Sequence, residues 1–201
     1  MSAIVKCVQS LNKDLVLDWN NSLKKILLLC VASFVGIVVL AIGINFFYVE
    51  HKMAKEYSSV NSDAVIVESR ETVIDASPET VLATLTDINE WSQWNKSVSD
   101  ASIEGEFTRG TNFRWNTESG AINSQIKVVQ KDKVVWVGKT FGIFAVHSWS
   151  LTEVEGKTRV VSKESWEGLT AFVLQSSLKS QLGESLETML ADLKTGAENN
   201  Q

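Results

Sequence analysis

Apolar positions follow three different rhythms along this chain, and each predicts a different kind of element. From Ile26 to Tyr48 they are continuous: ILLLCVASFVGIVVLAIGINFFY holds no charged residue, and Asn45 is its one strongly polar side chain. As a helix that run rises roughly 34 Å, enough to cross a hydrocarbon core of about 30 Å. Lys24 and Lys25 bound it on one side, and Glu50, His51 and Lys52 on the other. Phe46, Phe47 and Tyr48 fall where aromatic rings meet lipid headgroups. The run is too long for the apolar region of a cleaved signal peptide and reads as an uncleaved signal anchor.

From Ala64 the rhythm becomes alternation. AVIVESRETVI predicts a first strand. Ser77-Pro78-Glu79 predicts a helix start: serine caps free N–H groups, proline has none to waste, and the carboxylate complements the dipole. After a break near Asp87 a second short helix is expected to end near Asn95. Strand patterns follow at about 103–107, 112–116, 121–130, 133–140, 144–154 and 157–166. Arg109-Gly110, Ser119-Gly120, Lys131-Asp132, Phe141-Gly142 and Glu155-Gly156 separate them as tight turns, which predicts an antiparallel meander.

The third rhythm is helical. Leu174, Leu178, Leu182, Leu186, Met189 and Leu193 recur at steps of four or three, predicting one helix over Leu169–Lys194 with Lys179, Glu187 and Asp192 off the stripe. A stripe roughly 39 Å long needs a partner the size of a sheet. The order therefore predicts an α+β domain in which a curved antiparallel sheet of about seven strands wraps on a long C-terminal helix, with two short helices after the first strand. The expected organisation is a tail over 1–25, a transmembrane helix over 26–48, a polar linker over 49–63 and a domain over 64–197 with its core complete from Ala64. In the tail, Leu11, Leu15 and Trp19 are spaced as on a surface-lying amphipathic helix, a disordered tail being the alternative.

Charge narrows the partners. A net charge of -5 with no basic stripe argues against nucleic acid. Lys6, Lys13, Lys24 and Lys25 precede the span, while Lys52 and Lys55 follow it closely. The positive-inside rule then puts the N-terminus in the cytoplasm and the domain on the extracytoplasmic side of an inner (plasma) membrane. Cys7 and Cys30 both lie outside the domain, whose only histidine is His147, so neither a disulfide nor a metal site is expected there. There is no glycine-rich phosphate loop and no G-x-S-x-G elbow, and no cofactor is expected. Ala32 and Gly36 make one small-xxx-small step, which leaves the oligomeric state open.

Pairing arithmetic yields one polar constellation. If Glu155-Gly156 is a two-residue hairpin turn, His147 lies opposite Glu164, Trp149 opposite Ser162 and Leu151 opposite Val160. Period two then puts these residues and Trp166 on one face, largely apolar and expected to be concave. Opposite charges would raise the histidine pKa and lower the carboxylate's, with burial opposing both. The pair fits a satisfied cross-strand contact, part of a ligand cavity, or an acid–base site. Of the tryptophans, Trp115 and Trp149 are expected in a cavity wall and Trp91 and Trp94 at its mouth; Trp166 and Leu182 complete the expected lining.

Ile74-Asp75-Ala76-Ser77-Pro78-Glu79, the stretch Asp87 to Asn95, His147-Ser148-Trp149-Ser150-Leu151 and Gly156-Lys157-Thr158-Arg159-Val160, in this order of elements, resemble one group. It is the START-like, Bet v 1-like (SRPBCC) helix-grip superfamily, and within it bacterial polyketide cyclase/dehydrase-type proteins, many of which carry one N-terminal span. Ser92 and Lys96 stand where that pattern often has proline, which changes the loop near the cavity mouth. The resemblance implies a cavity for a hydrophobic small molecule or lipid. Three functions are compatible with it: a membrane-anchored binding module, an envelope structural or interaction protein with a filled cavity, and a cyclase- or hydrolase-type enzyme using His147 and Glu164.

Overall fold

The computed structural model describes residues 2–200, with side chains from Leu23 onward. Leu11, Leu15 and Trp19, the basis of the amphipathic reading, lie outside the residues whose side chains are described. The chain divides into two compact units between Ile44 and Asn45. Helix α1 (Ser2–Met53) contains a stretch, Leu23–Met53, that is long and apolar enough to cross a membrane, with a mean hydropathy of 2.9 over its most apolar 18 residues. Its last turns, from Asn45, belong to the second unit.

In that unit β1 (Ile66–Ile74) leads into α2 (Pro78–Thr86), a 3-10 turn (Ile88–Glu90) and α3 (Trp91–Trp94). Six strands follow: β2 (Asp100–Ile103), β3 (Asn112–Thr117), β4 (Gly120–Val129), β5 (Lys133–Thr140), β6 (Ile143–Val154) and β7 (Lys157–Glu167). Helices α4 (Leu169–Val173) and α5 (Gln175–Asn199) close the chain. The strands form one antiparallel sheet in the order β1-β7-β6-β5-β4-β3-β2, so the first strand returns to pair with the last. This is the expected α+β helix-grip architecture. The capped start of α2 is also as the sequence predicts: Ser77 Oγ accepts from the Thr80 N–H at 3.2 Å, with Pro78 at the first helical position.

Two elements differ from expectation. The sequence pattern predicts β2 at 103–107, but the strand ends at Ile103, because Gly105 turns the chain with φ +100°. The single C-terminal helix expected from Leu169 is two: Leu174 leaves helical backbone (φ -109°, ψ 24°) between α4 and α5. Leu174 is consequently half exposed, and the buried stripe runs through Leu182, Leu186, Met189, Leu190 and Leu193. Asp192, off the predicted stripe, is nonetheless buried, because its carboxylate accepts the Lys96 N–H at 2.9 Å.

The concave face holds two apolar clusters. The larger joins Trp91, Phe113, Trp136 and Trp149 to the second half of α5 through Met189, Leu190 and Leu193. The smaller joins Ile66, Ile143 and Ala171 to Leu182 and Leu186. A third cluster lies on the opposite, convex face, where the sequence suggested a free linker. Val49, Met53, Tyr57 and Val60 pack there against Val135, Val137, Phe144 and Val146. Glu167, 5% exposed, accepts from Tyr48 Oη and Asn61 Nδ2, each at 2.5 Å, and pairs with Lys52 at 2.5 Å. Burial alone would raise the Glu167 carboxyl; the bonds from Asn61, Lys52 and Tyr48 outweigh it and hold it below its ordinary value. Lys127 Nζ donates to the Met53 carbonyl at 2.8 Å, and Lys139 pairs with Glu50. Residues 49–63 are thus a packed strap rather than a spacer, for β5 and β6 are apolar on both faces and need cover on both.

Two outcomes follow. A chain beginning at Ala64 exposes Val135, Val137, Phe144 and Val146, so in urea it should unfold at lower concentration than one beginning at Asn45; equal midpoints would show that the strap contributes nothing. Leu182→Ala should cost about 2–5 kcal/mol, whereas Lys179→Ala, on an exposed side chain, should stay within about 0.5 kcal/mol of wild type. Denaturant titration of the two variants reads both.

Candidate functional site

The final hairpin supplies the frame. Glu155 and Gly156 both take positive φ, 52° and 78°, the requirement of the two-residue turn whose twist suits antiparallel strands. His147 therefore pairs with Glu164 and Trp149 with Ser162, in the register the sequence predicts. Pairing of β7 with β1 extends both rows: Glu164 faces Glu68 and Ser162 faces Arg70. Two polar rows thus cross the concave face from its centre to its β1 edge, between the two apolar clusters.

At the inner end, the His147 ring is buried, stacked on Trp149 (centroids 4.8 Å apart) and tilted against Trp136 (4.9 Å). Its Nε2 is hydrogen-bonded to Ser162 Oγ at 2.8 Å, and its Nδ1 lies 3.4 Å from Glu164 Oε2. Trp166 Nε1 donates to Glu164 Oε1 at 2.7 Å. At the outer end, Arg70 donates to Glu68 and to Glu187 of α5, each at 2.7 Å. The guanidinium reaches the helix through a notch: a Cβ on Gly183 would lie 2.4 Å from Arg70 Nη2. Ser162 stands where the pairing arithmetic puts it, whereas Arg70, Glu68 and Gly183 do not follow from the sequence, because no tight turn joins β1 to β7 to set their register.

Burial decides the protonation of the inner pair, and it reverses the expected shifts. Desolvation pushes His147 down to about 3 from 6.5. It pushes Glu164 up to about 7 from 4.5, against the lowering effect of the Trp166 hydrogen bond. With a neutral imidazole there is no charge to hold the carboxylate ionised, so the two groups are not an ion pair. A carboxyl that titrates near neutrality can donate a hydrogen bond or a proton. The Glu164 side chain keeps 14% exposure, leaving its carboxyl a narrow approach from solvent.

Of the other expected site residues, Trp149 and Trp166 touch the pair, and the rest lie apart from it. Trp149 is fully buried, and its Nε1 has no hydrogen-bond partner. Trp166 and Leu182 meet in the smaller apolar cluster. Trp115 lies on β3, half-buried, donating to Ser124 Oγ at 3.1 Å. Trp91, expected at a cavity mouth, is instead the centre of the core: it donates to the Leu85 carbonyl at 2.9 Å and lies within 6.2 Å of Trp94, Phe113, Trp115 and Trp136. Its place in the helical turn after α2 points the ring inward. Trp94 borders a hollow of about 560 Å³ with Thr84, Asp87, Gly196 and Asn200. A second hollow, of about 840 Å³, lies on the convex side among Glu50, Met53, Arg114, Asn123, Gln125 and Lys139. Among the described residues, no group of His, Cys, Asp and Glu is placed to hold a metal ion.

A curved seven-stranded sheet gripping a C-terminal helix, with a polar row on its concave face, is a START-like helix-grip domain. The chain belongs to the family described as polyketide cyclase / dehydrase and lipid transport, whose pattern matches residues 66–198. Solved structures with the same fold include hypothetical protein jhp0584 from Helicobacter pylori, at 14% identity, TM-score 0.60, covering 73% of this chain and 99% of that one. A START superfamily protein from Mycobacterium smegmatis matches at 15% identity and TM-score 0.58, covering 67% and 99%. The Zhui aromatase/cyclase from Streptomyces sp. R1128 matches at 12% identity and TM-score 0.58, covering 66% and 93%. No curated protein matches the chain.

The inner pair has a pH signature with a defined sign. The depressed His147 gives stability that is full above 6.5 and lost as pH falls toward about 3. The raised Glu164 gives stability that is full below 4.5 and lost as pH climbs through about 7. The two slopes oppose each other between 4.5 and 6.5, so their joint contribution is flat there. Glu164→Gln removes only the second, and its unfolding free energy should rise over that window where the wild type's does not. Parallel profiles would mean that Glu164 is ionised throughout.

Proposed function

We propose that the protein is a single-pass, membrane-anchored binding module for a hydrophobic small molecule or lipid, taken up between α5 and the sheet. The N-terminus is assigned to the cytoplasm and the domain to the extracytoplasmic side of the inner (plasma) membrane, on the charge bias across residues 26–48. The family supports a hydrophobic ligand. The observation that carries the reading is the Trp149 Nε1 donor, buried without a hydrogen-bond partner on a ring stacked on His147. An unmet buried donor costs about 1–3 kcal/mol, and a polar group on an otherwise apolar ligand would satisfy it. Entry falls to the first turns of α5, where Gln175, Ser176 and Ser177 are exposed and only Leu178 is half-buried.

A second reading, an envelope interaction protein with a filled interior, is favoured by the ring cluster around Trp91 and by the position of both hollows away from the polar rows. Catalysis by His147 and Glu164 would need a substrate in the same place, so it depends on the first reading. Native mass spectrometry of the detergent-purified chain, with Trp149→Phe beside it, separates the two. The binding reading expects a co-purified ligand mass that Trp149→Phe diminishes while the fold is kept. The filled-interior reading expects no ligand mass, and a Trp149→Phe variant at least as stable as wild type because it loses an unmet donor.

A further inference from the structure

The one strongly polar side chain of the apolar run, Asn45, is hydrogen-bonded through both its amide nitrogen and its amide oxygen. Asn45 Nδ2 donates to the Gly142 carbonyl at 3.0 Å, and Asn45 Oδ1 accepts the Leu169 N–H at 2.7 Å. Thr170 Oγ1 adds a bond to the Phe141 carbonyl at 2.7 Å. This knot ties the β5–β6 turn and the start of α4 to residue 45, and it is packed to the backbone. A Cβ on Gly142 would lie 2.8 Å from Asn45 Nδ2, and one on Gly168 2.4 Å from the Gly142 carbonyl oxygen.

Around the knot the surface is apolar. From Ala64 onward, the exposed large apolar side chains are Val73, Val129 and Val154, scattered singly, and five that gather here: Phe141 (72%), Leu169 (37%), Phe172 (70%), Val173 (65%) and Leu174 (50%). The two segments that carry them, Thr140–Val146 and Gly168–Leu178, hold no charged residue. Phe141 also sits in left-handed backbone, φ 41°, where asparagine or glycine would be easier. One face of the ring covers Gly120, where a Cβ would lie 2.6 Å from Phe141 Cε2, and the rest of the residue, 72% exposed, is apolar surface that an apolar environment would cover.

Asn45 precedes Tyr48, the last residue of the apolar run, by three positions, or roughly 4.5 Å along a helix. Whatever depth Asn45 has in a bilayer, the Phe141 turn and α4 share it. We infer that this tip of the domain is inserted in the membrane interface, with Phe141, Leu169, Phe172, Val173 and Leu174 against the acyl chains of the leaflet that receives Tyr48. The inference rests on the reading that residues 26–48 cross the bilayer. Uncharged segments with exposed aromatic and aliphatic side chains are what shallow insertion of about 5–10 Å requires. It also gives the ligand a route: the first turns of α5 open toward lipid, so an apolar molecule need not cross water to reach the polar rows.

The test uses the full chain with Cys7→Ser and Cys30→Ser, carrying one spin-labelled cysteine in place of Val173, Val38 or Val154. The proteins are reconstituted in phosphatidylcholine–phosphatidylglycerol vesicles, and collision with oxygen is compared with collision with a nickel chelate. Val154 lies at the far end of β6 from the tip, roughly 36 Å away along the strand. The expected result is that the label at 173 loses nickel accessibility and gains oxygen accessibility, as at 38 and unlike 154. Nickel accessibility at 173 equal to that at 154, with 38 still lipid-buried, overturns the insertion and leaves the span standing. A label at 38 that meets nickel freely overturns the span and the insertion together. Shielding of 173 from both reagents means that protein, a second copy of the chain, covers the tip, and the inference fails. Phe141→Asn suits the turn and keeps the fold, so its thermal midpoint should not fall, while the label at 173 should regain nickel accessibility. No change at 173 in that variant would remove Phe141 from the inserted surface.

Discussion

Strands β5 and β6 are apolar on both faces, and the rest of the domain is arranged to keep water from both. On the concave side Trp136 and Trp149 meet the rings around Trp91 and the second half of α5. On the convex side Val135, Val137, Phe144 and Val146 would face solvent in a bare sheet, and the strap from Val49 to Val60 covers them. The most buried fastening of the strap is Glu167, which takes hydrogen bonds from Tyr48 and Asn61 and the charge of Lys52, with Lys127 and Lys139 adding ties at Met53 and Glu50. A buried carboxylate with three donors is stable as an anion and fixes its donors in direction as well as distance. The end of the apolar helix is therefore part of the sheet's packing.

The polar rows on the concave face solve the opposite problem. His147 and Glu164 are surrounded by rings and cannot both be charged without a large desolvation cost, so the imidazole stays neutral and the carboxyl is pushed up to about 7. The charged members, Arg70, Glu68, Glu187 and Lys179, sit toward the β1 edge, where water reaches them. Charge thus decreases along the rows from rim to centre. That gradient suits a ligand with an apolar body and one hydrogen-bonding group, and it gives an ionic headgroup no buried counter-charge at the inner end.

Much of this frame was legible in the residues, and the parts that were not share a cause. The Glu155-Gly156 turn and strict two-residue alternation are local, and they set the His147–Glu164 register correctly across eighteen positions. The capped start at Ser77-Pro78 is equally local. The sign of the pKa shifts was not legible, because it depends on how many rings close over the pair, a property of the assembled core. The strap was missed because its four-residue spacing, Val49, Met53 and Tyr57, lies in polar sequence that reads as spacer. One signal did exist: Val134-Val135-Trp136-Val137 is a continuous apolar run rather than an alternating one, which implies cover on both faces. Trp91 was misplaced for a similar reason, since a tryptophan in a short helical turn carries no periodicity from which its direction can be read.

The fastening of α5 is uneven, and this decides which end of the roof is able to move. Toward its C-terminus Gly196 lies so close to Trp94 that a Cβ would stand 2.9 Å from that side chain, Asp192 holds the Lys96 N–H, Lys194 holds the Val73 carbonyl, and Glu198 holds the Asp75 N–H. Toward its N-terminus the ties are Gln175 to the Val65 carbonyl and the solvent-washed pairs of Lys179 and Glu187 with β1, with Leu178 only half-buried. Exposed ion pairs are worth about 0–1 kcal/mol each, far less than the buried apolar contacts of Leu186, Leu190 and Leu193. Local opening draws on the least buried contacts, so the least held part of the roof is the short, mostly exposed stretch 175–179, between the knot that ties the start of α4 to Asn45 and the buried Leu182. That stretch adjoins the apolar tip at Asn45 in sequence, since α4 leads directly into it.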